Sequence, residues 1–480
     1  MDVFVLIPCF FTRVKKRMQY APPTNKPLIM MTHVCRSWRN VLLSTPSLWT
    51  QINFSLSGTR SQQAEVFLRR SGNQLLDIYQ SLGQDRVEPF LSITLHNLFR
   101  LQGLSIISYM PHFEPLLRNF SASAPELKHL EIQNHNTMES DKELPKIFGG
   151  RMPKLTSLSL YWFRTNLRNL DLPSLMWFKF ETGKDTSIQD LISFFERCPL
   201  LEFIQLCFCS FQTPVPPPHK RVCLAALREF RLNNAAYITG LLDHLILPRC
   251  TEMMLQGTFA DGPYIQHGTP AARIHPSSIE HLPVTRGITK AIVMEGSCTF
   301  SGPSGNLSFG WLGGTCEGIN NHFFTSFSPI SVLQVRELWV GQRTTYGSSN
   351  NRTPSKQTAA GLRGAFEVLT GVEGLTIACC RMEPFLQALG ETADGGILLP
   401  GLQKLAVYVW CGDMDVSALI QCTRTRKEHF RPLEEVTVVW EKDPGARVRD
   451  KVESLREFVG ELVHHVGKAP KLFWSSYERD

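Results

Sequence analysis

Leu127-Lys128-His129-Leu130-Glu131-Ile132 sets apolar side chains at the first, fourth and sixth places of six residues, and the same Leu-x-x-Leu-x-Leu figure returns along the chain. Clear copies are Leu155-Leu158-Leu160, Leu175-Phe178-Phe180, Leu201-Ile204-Leu206 and Leu227-Phe230-Leu232. Looser ones are Cys250-Met253-Leu255, Val335-Leu338-Val340, Val372-Leu375-Ile377, Leu402-Leu405-Val407 and Leu433-Val436-Val438. First positions fall 28, 20, 26, 26 and 23 residues apart in the early copies and 37, 30 and 31 apart in the late ones. The last two apolar places of each copy are two residues apart, the period of a strand with one buried face. A recurrence of this length implies short units that bury a core against their neighbours.

Between these strands the sequence supplies helices. Ser187 is placed to cap a helix carrying Ile188, Leu191, Ile192, Phe194 and Phe195, and Tyr237 to Leu245, Pro384 to Leu389 and Val416 to Cys422 read the same way. The pattern resembles leucine-rich repeats, whose units run to about 20 to 29 residues. The resemblance implies an α/β fold class: an irregular leucine-rich-repeat solenoid of strand and helix repeats on a parallel sheet, over residues 121–443. The motif leucines are then core, and the residues between them face outward. Trp177, Phe203, Arg228 and Arg231 occupy such places. Aromatic residues and arginine dominate interface energetics, so these four are the expected surface for a substrate protein.

Residues 256–334 depart from the pattern. They are rich in Gly, Ser and Pro, as in Gly302-Pro303-Ser304-Gly305, and hold strand-like runs at Ile288 to Met294 and Leu307 to Leu312. Irregular extended repeats are expected there, not a separate domain. Thr344 to Lys356 reads as an exposed loop. Val448, Val452, Leu455, Val459, Leu462 and Val466 make a helical stripe after Gly445, predicting a capping helix and tail over 445–480.

The N-terminal part reads differently. His33-Val34-Cys35-Arg36-Ser37-Trp38-Arg39-Asn40 places Val34, Trp38, Val41 and Leu42 on one helical stripe, with Arg36 and Arg39 turned to water. Ser44-Thr45-Pro46-Ser47-Leu48-Trp49 stops that helix and starts a short second one, with Pro46 at its first position and Ser44 or Thr45 as its cap. The result is a helical corner with two tryptophans.

Val-Cys-Arg-x-Trp-Arg followed by Ser-Thr-Pro-x-Leu-Trp resembles the second half of an F-box, in the form common among fungal (basidiomycete-type) F-box-like proteins. The resemblance covers about residues 28–54, and 55–120 would hold a linker and the first helical and strand elements. It implies a substrate-recognition adaptor of a Skp/cullin/F-box-type ubiquitin ligase, with Val34, Trp38, Pro46, Leu48 and Trp49 in the F-box core and on its adaptor-facing side. A Skp-type adaptor, a cullin and a substrate protein would be its partners. The Leu-Pro-x-Glu opening and first helix of an F-box have no counterpart in residues 1–27, which are expected to be poorly ordered. A shortened or misassigned start is the expected reason. The alternative reading is a leucine-rich-repeat protein-binding scaffold without ubiquitin-ligase linkage, its F-box degenerate or truncated.

Composition sets outer bounds. Across 480 residues the chain is 43% hydrophobic and 19% charged, a balance typical of folded proteins. Its net charge of +7 is spread along the sequence, with no basic clusters to suggest nucleic acid. No run of about 18 uncharged apolar residues suggests a membrane span. Thirteen cysteines without a signal peptide suit reduced thiols in the cytoplasm or nucleus.

Catalytic, metal and cofactor patterns are not found. Phosphate-loop, His-Glu-x-x-His and Gly-x-Ser-x-Gly motifs are missing, and Gly302-Pro303-Ser304-Gly305 lacks a lysine. Cys198, Cys207, Cys209, His219 and Cys223 lack paired zinc-ligand spacing, and the cysteines read as buried or half-buried thiols. The sequence therefore points to a non-enzymatic binding protein.

Overall fold

A computed structural model describes residues 26–54, 60–82, 87–109, 113–135, 144–163, 167, 170–181, 185–207, 209–211, 221–233, 241–256, 282–294, 297–310, 334–341, 366–367, 369–378, 382–390, 392–393, 396–409 and 416–467. Nearly all of 1–27, most of 256–334, the loop 344–356, His219 and part of the helix expected from Tyr237 lie outside the described residues. The chain divides into two compact units, one of Met1–Val215 with Leu224–Leu227 and one of Pro216–Cys223 with Arg228–Arg479. Both are mixed α/β with a mostly parallel ladder.

The first unit carries β1 (Gln51–Asn53), β2 (Leu76–Leu82), β3 (Leu101–Ser108), β4 (His129–Asn134), β5 (Ser157–Tyr161), β6 (Trp177–Glu181) and β7 (Phe203–Cys207), each parallel to the next. Its described helices are α1 (Lys26–Met31), α2 (Arg36–Leu43), α3 (Arg60–Ser71), α4 (Val87–His96), α5 (Phe113–Leu117) and α6 (Ile188–Glu196). α6 forms as expected: the Ser187 hydroxyl accepts from the Asp190 N–H, and Ile188, Leu191, Ile192, Phe194 and Phe195 are buried.

The second unit carries β8 (Glu229–Asn233), β9 (Glu252–Gln256), β10 (Lys290–Met294), β11 (Ser297–Gly302), β12 (Gly305–Gly310), β13 (Glu337–Gly341), β14 (Gly374–Ala378), β15 (Lys404–Val409), β16 (Glu435–Trp440) and β17 (Glu461–Val466). Its described helices include α7 (Glu383–Gly390), α8 (Val416–Glu428) and α9 (Ala446–Glu453). The ladder is parallel except at β11, which runs antiparallel to both β10 and β12; β12 pairs parallel with β9 and β10 parallel with β13. Ser297 to Gly302 is thus a strand, although its composition reads as turn. Gly305, at φ +128°, allows the reversal, since a Cβ there would meet the Thr251 carbonyl.

Burial follows the motif. Every apolar residue of the ten copies is buried. The strands align in register, so Leu130, Leu158, Phe178 and Ile204 pair in succession, as do Leu338, Leu375, Leu405 and Val436. The carbonyl at the second motif place accepts two N–H groups from the next copy. Lys128 O takes Thr156 N (2.9 Å) and Ser157 N (3.0 Å), and Glu373 O takes Gln403 N (2.8 Å) and Lys404 N (2.9 Å). Ahead of the first place lies a turn closed by its own N–H, as from Leu155 N to Met152 O (3.0 Å) and Leu175 N to Leu172 O (3.1 Å). Pro125, Pro153, Pro173, Pro199, Pro248 and Pro400 occupy the second place of these turns, where a fixed φ favours the bend.

The C-terminal stripe is corrected. α9 ends at Glu453, and Leu462 lies on β17, paired in register with Val436 of β16. Gly460 explains the change: it lies so close to the Glu434 carbonyl that a Cβ would sit 2.7 Å from the oxygen, and from there the chain runs extended. A single helix through Val466 would have left the β16 edge without these ladder bonds.

Arginines fix turns that the motif does not reach. Arg426 of α8 is fully buried, and its two terminal nitrogens donate to Leu398 O and Leu399 O, each at 2.9 Å. Burial pushes its guanidinium below the usual pKa. Arg197 likewise donates to Leu167 O (2.9 Å), and Arg100 to Gly72 O and the Ser71 hydroxyl. Replacing Arg426 with Ala should destabilise the second unit by about 2–4 kcal/mol, because two buried carbonyls lose donors. Arg426→Lys should rescue little, since one ammonium cannot copy the planar fork. Urea unfolding of the full chain followed by circular dichroism checks both.

Candidate functional site

The helical corner forms, but its apolar residues divide differently from the expected stripe. The Cys35 thiol caps α2, accepting the Trp38 N–H at 3.5 Å, so Val34 lies before the helix. Val34 is 64% exposed, Met30 62% and Val41 38%, while Leu42 is buried. Trp38 and Leu48 are half-buried and Pro46 is exposed. Pro46 starts a short 3-10 helix, Pro46–Trp49, as the sequence suggests. The Ser44 and Thr45 hydroxyls turn back to Val41 O, at 3.1 and 2.7 Å, instead of capping it.

Trp49 belongs to the core. It is buried, its indole N–H donates to Leu42 O (2.8 Å), and its ring meets Phe67 of α3 edge-on at 4.9 Å. The Arg70 guanidinium stacks 4.5 Å from the ring centroid. Burial, then Arg69 and Arg39, lower the Arg70 pKa. Trp49-x-x-Ile52-x-Phe54 repeats the spacing of the motif, and all three are buried. The corner is thus continuous with the ladder through β1. Leu101-x-x-Leu104-x-Ile106 is a further buried copy of the motif, and the prolines of the turns mark the start of several copies.

The outward face of the first unit's ladder forms the second candidate surface. Trp177 and Phe203 are register partners whose rings stack at 4.9 Å and 22°. Trp177 is 41% exposed, whereas Phe203 is 5% exposed beneath it. Lys179 Nζ approaches the Phe203 ring at 5.7 Å. Arg228 and Arg231 belong to the second unit. There Arg228 is exposed, and Arg231 is half-buried and pairs with Glu229 on its own strand.

Register aligns Asp77 with Gly103 and His129, then Tyr79 with Ser105 and Glu131. Asp77 leans over Gly103, where a Cβ would lie 2.5 Å from its oxygen. Glu131 accepts from the Ser105 hydroxyl (2.8 Å) and the Gln133 amide (2.7 Å). Burial, then Asp77 and Glu131, raise the Tyr79 phenol well above its ordinary pKa. Glu181, half-buried, is held above the usual carboxylate range by burial. Asp77 and Tyr79 escaped the pattern because the third motif place of their strand, aligned with Ile106, is taken by the polar but buried Gln80.

The thiols divide by exposure. Cys198, Cys207, Cys209, Cys250, Cys298 and Cys422 are buried, Cys35 and Cys223 exposed. Burial pushes Cys198, Cys250 and Cys422 up to about 12. Among the described residues no group of three His, Cys, Asp or Glu side chains is placed to hold a metal, and no helix is long and apolar enough to cross a membrane. No protein-family model matches the chain, and no curated protein matches it.

Two outcomes follow. Trp49→Ala should cost about 3–5 kcal/mol by opening a cavity against Phe67, and Trp38→Ala under about 1.5 kcal/mol, read as urea midpoints. Iodoacetamide at pH 8, followed by peptide mass spectrometry, should label Cys35 and Cys223 well before Cys198, Cys250 and Cys422, whose thiols stay protonated there.

Proposed function

We propose that the chain is an F-box-like substrate-recognition adaptor of a Skp/cullin/F-box-type ubiquitin ligase. In this reading the corner over 28–54 is the adaptor-docking end, the parallel ladder is a leucine-rich-repeat-like solenoid, and its outward face takes a substrate protein. The observation that carries the reading is the division of apolar residues in the corner. Trp49 and Leu42 go inward and tie the corner to the ladder, while Met30, Val34 and Val41 are left on the surface. Exposed apolar side chains gathered on one short segment are suited to docking a protein. The Val-Cys-Arg-x-Trp-Arg and Ser-Thr-Pro-x-Leu-Trp patterns say which kind. The chain then supplies no catalytic group: it raises the effective concentration of a bound substrate near a ubiquitin-conjugating enzyme, in the cytoplasm or nucleus.

The test is capture of a purified fungal Skp adaptor by the tagged full chain. Trp38→Ala and Val41→Asp are the variants of choice, because neither side chain is core, whereas Trp49→Ala would confound binding with unfolding. Wild type should bind, and Val41→Asp should weaken binding at least about tenfold by burying a charge at the contact. A folded wild type that does not bind would favour the scaffold without ubiquitin linkage.

A further inference from the structure

The chain's positive charge is concentrated, which corrects the even spread inferred from composition. Residues 3–64 hold eight Lys and Arg side chains and not one Asp or Glu, whereas from Glu65 onward the chain balances at 42 of each sign. The described part of this stretch is the helical corner. Lys26, Arg36 and Arg39 lie on α1 and α2, and Arg69 and Arg70 join them from the last turn of α3. Arg69 and Arg39 both lie within electrostatic reach of Arg70, which stacks on Trp49 at 4.5 Å while the Trp49 indole closes on Leu42 O of α2. Around the outer side of α2 the exposed residues run in the order Arg39, Arg36, Asn40, Ser37 and Val41, so arginines line one edge and an aliphatic side chain the other.

No acid within the corner answers these charges. Among the described residues Lys26, Arg36, Arg39, Arg69 and Arg70 form no ion pair, and Glu65, one turn before Arg69 on α3, pairs with none of them. Elsewhere exposed cations are paired: Arg118 with Glu114 at 2.6 Å, Lys154 with Glu126 at 2.7 Å and Lys404 with Glu435 at 3.0 Å. The carbonyl end of α3 accounts for cations in its own last turn, but an arginine brought up from α2 adds repulsion without a compensating anion. An arc with arginines on one edge and a valine on the other is complementary to a protein segment that carries carboxylates beside aliphatic residues. Guanidinium groups take carboxylates in two-pronged hydrogen bonds. A lipid surface would be met by bulky aromatic residues, whereas Trp38 is half-buried here and Trp49 buried. Nucleic acid would be met by basic residues with exposed aromatics, and aliphatic side chains serve it poorly.

We propose that the corner docks an acidic, amphipathic segment of a partner protein, its carboxylates met by Arg36, Arg39 and Arg69 and its aliphatic residues lying on Val41. The proposal rests on the reading of the corner as the docking end and adds the charge of what docks there. Arg69 lies outside the stretch that resembles an F-box, so this part of the contact does not follow from the resemblance. Association guided by such charges is fast and weakens as salt rises.

The experiment measures fluorescence anisotropy of labelled peptides of equal length, built from Glu and Leu, from Gln and Leu, or from Lys and Leu, against the full chain at low and physiological salt. The Glu/Leu peptide should bind, more weakly as salt rises, and the double variant Arg39→Gln with Arg69→Gln should weaken it about tenfold. Arg118→Gln with Lys154→Gln, an equal loss of exposed charge elsewhere in the first unit, should leave it unchanged. Equal loss with that control pair would mean unspecific attraction and overturn the proposal, as would no binding of the Glu/Leu peptide. Equal binding of the Gln/Leu peptide would overturn it too while leaving the corner as an apolar docking end. Tighter binding of phosphatidylserine vesicles or duplex DNA, lost in the same double variant, would overturn it in favour of a lipid or nucleic-acid surface. Capture of the Skp adaptor, run beside the peptides, separates this proposal from the adaptor reading. Undiminished capture by the double variant would overturn the proposal and keep that reading; arginine-dependent peptide binding without Skp capture would keep the proposal and remove it. Arg39 and Arg69 are exposed, so both variants should fold, which circular dichroism checks, and Arg70 is left intact because its contact with Trp49 serves the fold.

Discussion

One hydrogen-bonding arrangement underlies the rest of the structure: the carbonyl at the second motif place, which accepts two N–H groups from the following strand. Lys128, Thr156 and Met176 do this in the first unit, and Arg228, Thr289, Arg336, Glu373 and Gln403 in the second. A doubly used acceptor fixes where the next strand starts. Slippage by one residue would turn every buried motif side chain to the other face, so backbone and hydrophobic register enforce each other. Depth of burial at all three motif places is the packing consequence.

Because the strands are tied this way, the joints between them become the variable part. Prolines shape the turns ahead of the strands, while Arg100, Arg197 and Arg426 reach back about a repeat length to hold backbone carbonyls of the joints, those taken by Arg426 being buried. Trp49 does the same for the corner, closing on Leu42 O and Phe67. These residues face inward and set position; they leave the outward surfaces free to differ in chemistry.

The outward surfaces do differ. In the first unit Asp77, Glu131 and Glu181 lie half-buried on the outward face with Lys179 among them, whereas in the second Glu337 pairs with Lys290, Glu435 pairs with Lys404, and Lys290 stacks on Trp339 at 3.6 Å. A shared architecture of inward leucines thus carries surfaces of distinct charge, and the functional reading rests on the surface residues, since the inward ones serve packing alone.

The sequence by itself determined the strand positions and their buried faces, because the motif's three apolar residues report a local period and the burial that follows from it. It also determined α6, whose cap and apolar stripe are local, and the turn before Pro46. Only the tertiary structure decided what the end of the chain does: the stripe from Val448 to Val466 satisfies a helical period, yet Gly460 and the open edge of β16 draw its last part into β17. The same holds for Trp49, whose inward direction depends on Phe67 on another helix, and for the antiparallel strand Ser297–Gly302, which composition reads as turn. The placing of Asp77, Glu131 and Glu181 on one face is tertiary as well, since they are scattered in sequence and share that face only through parallel register across five strands. Local periodicity is written in neighbouring residues, whereas the partner that completes an edge, a ring contact or a charged face comes from elsewhere in the chain.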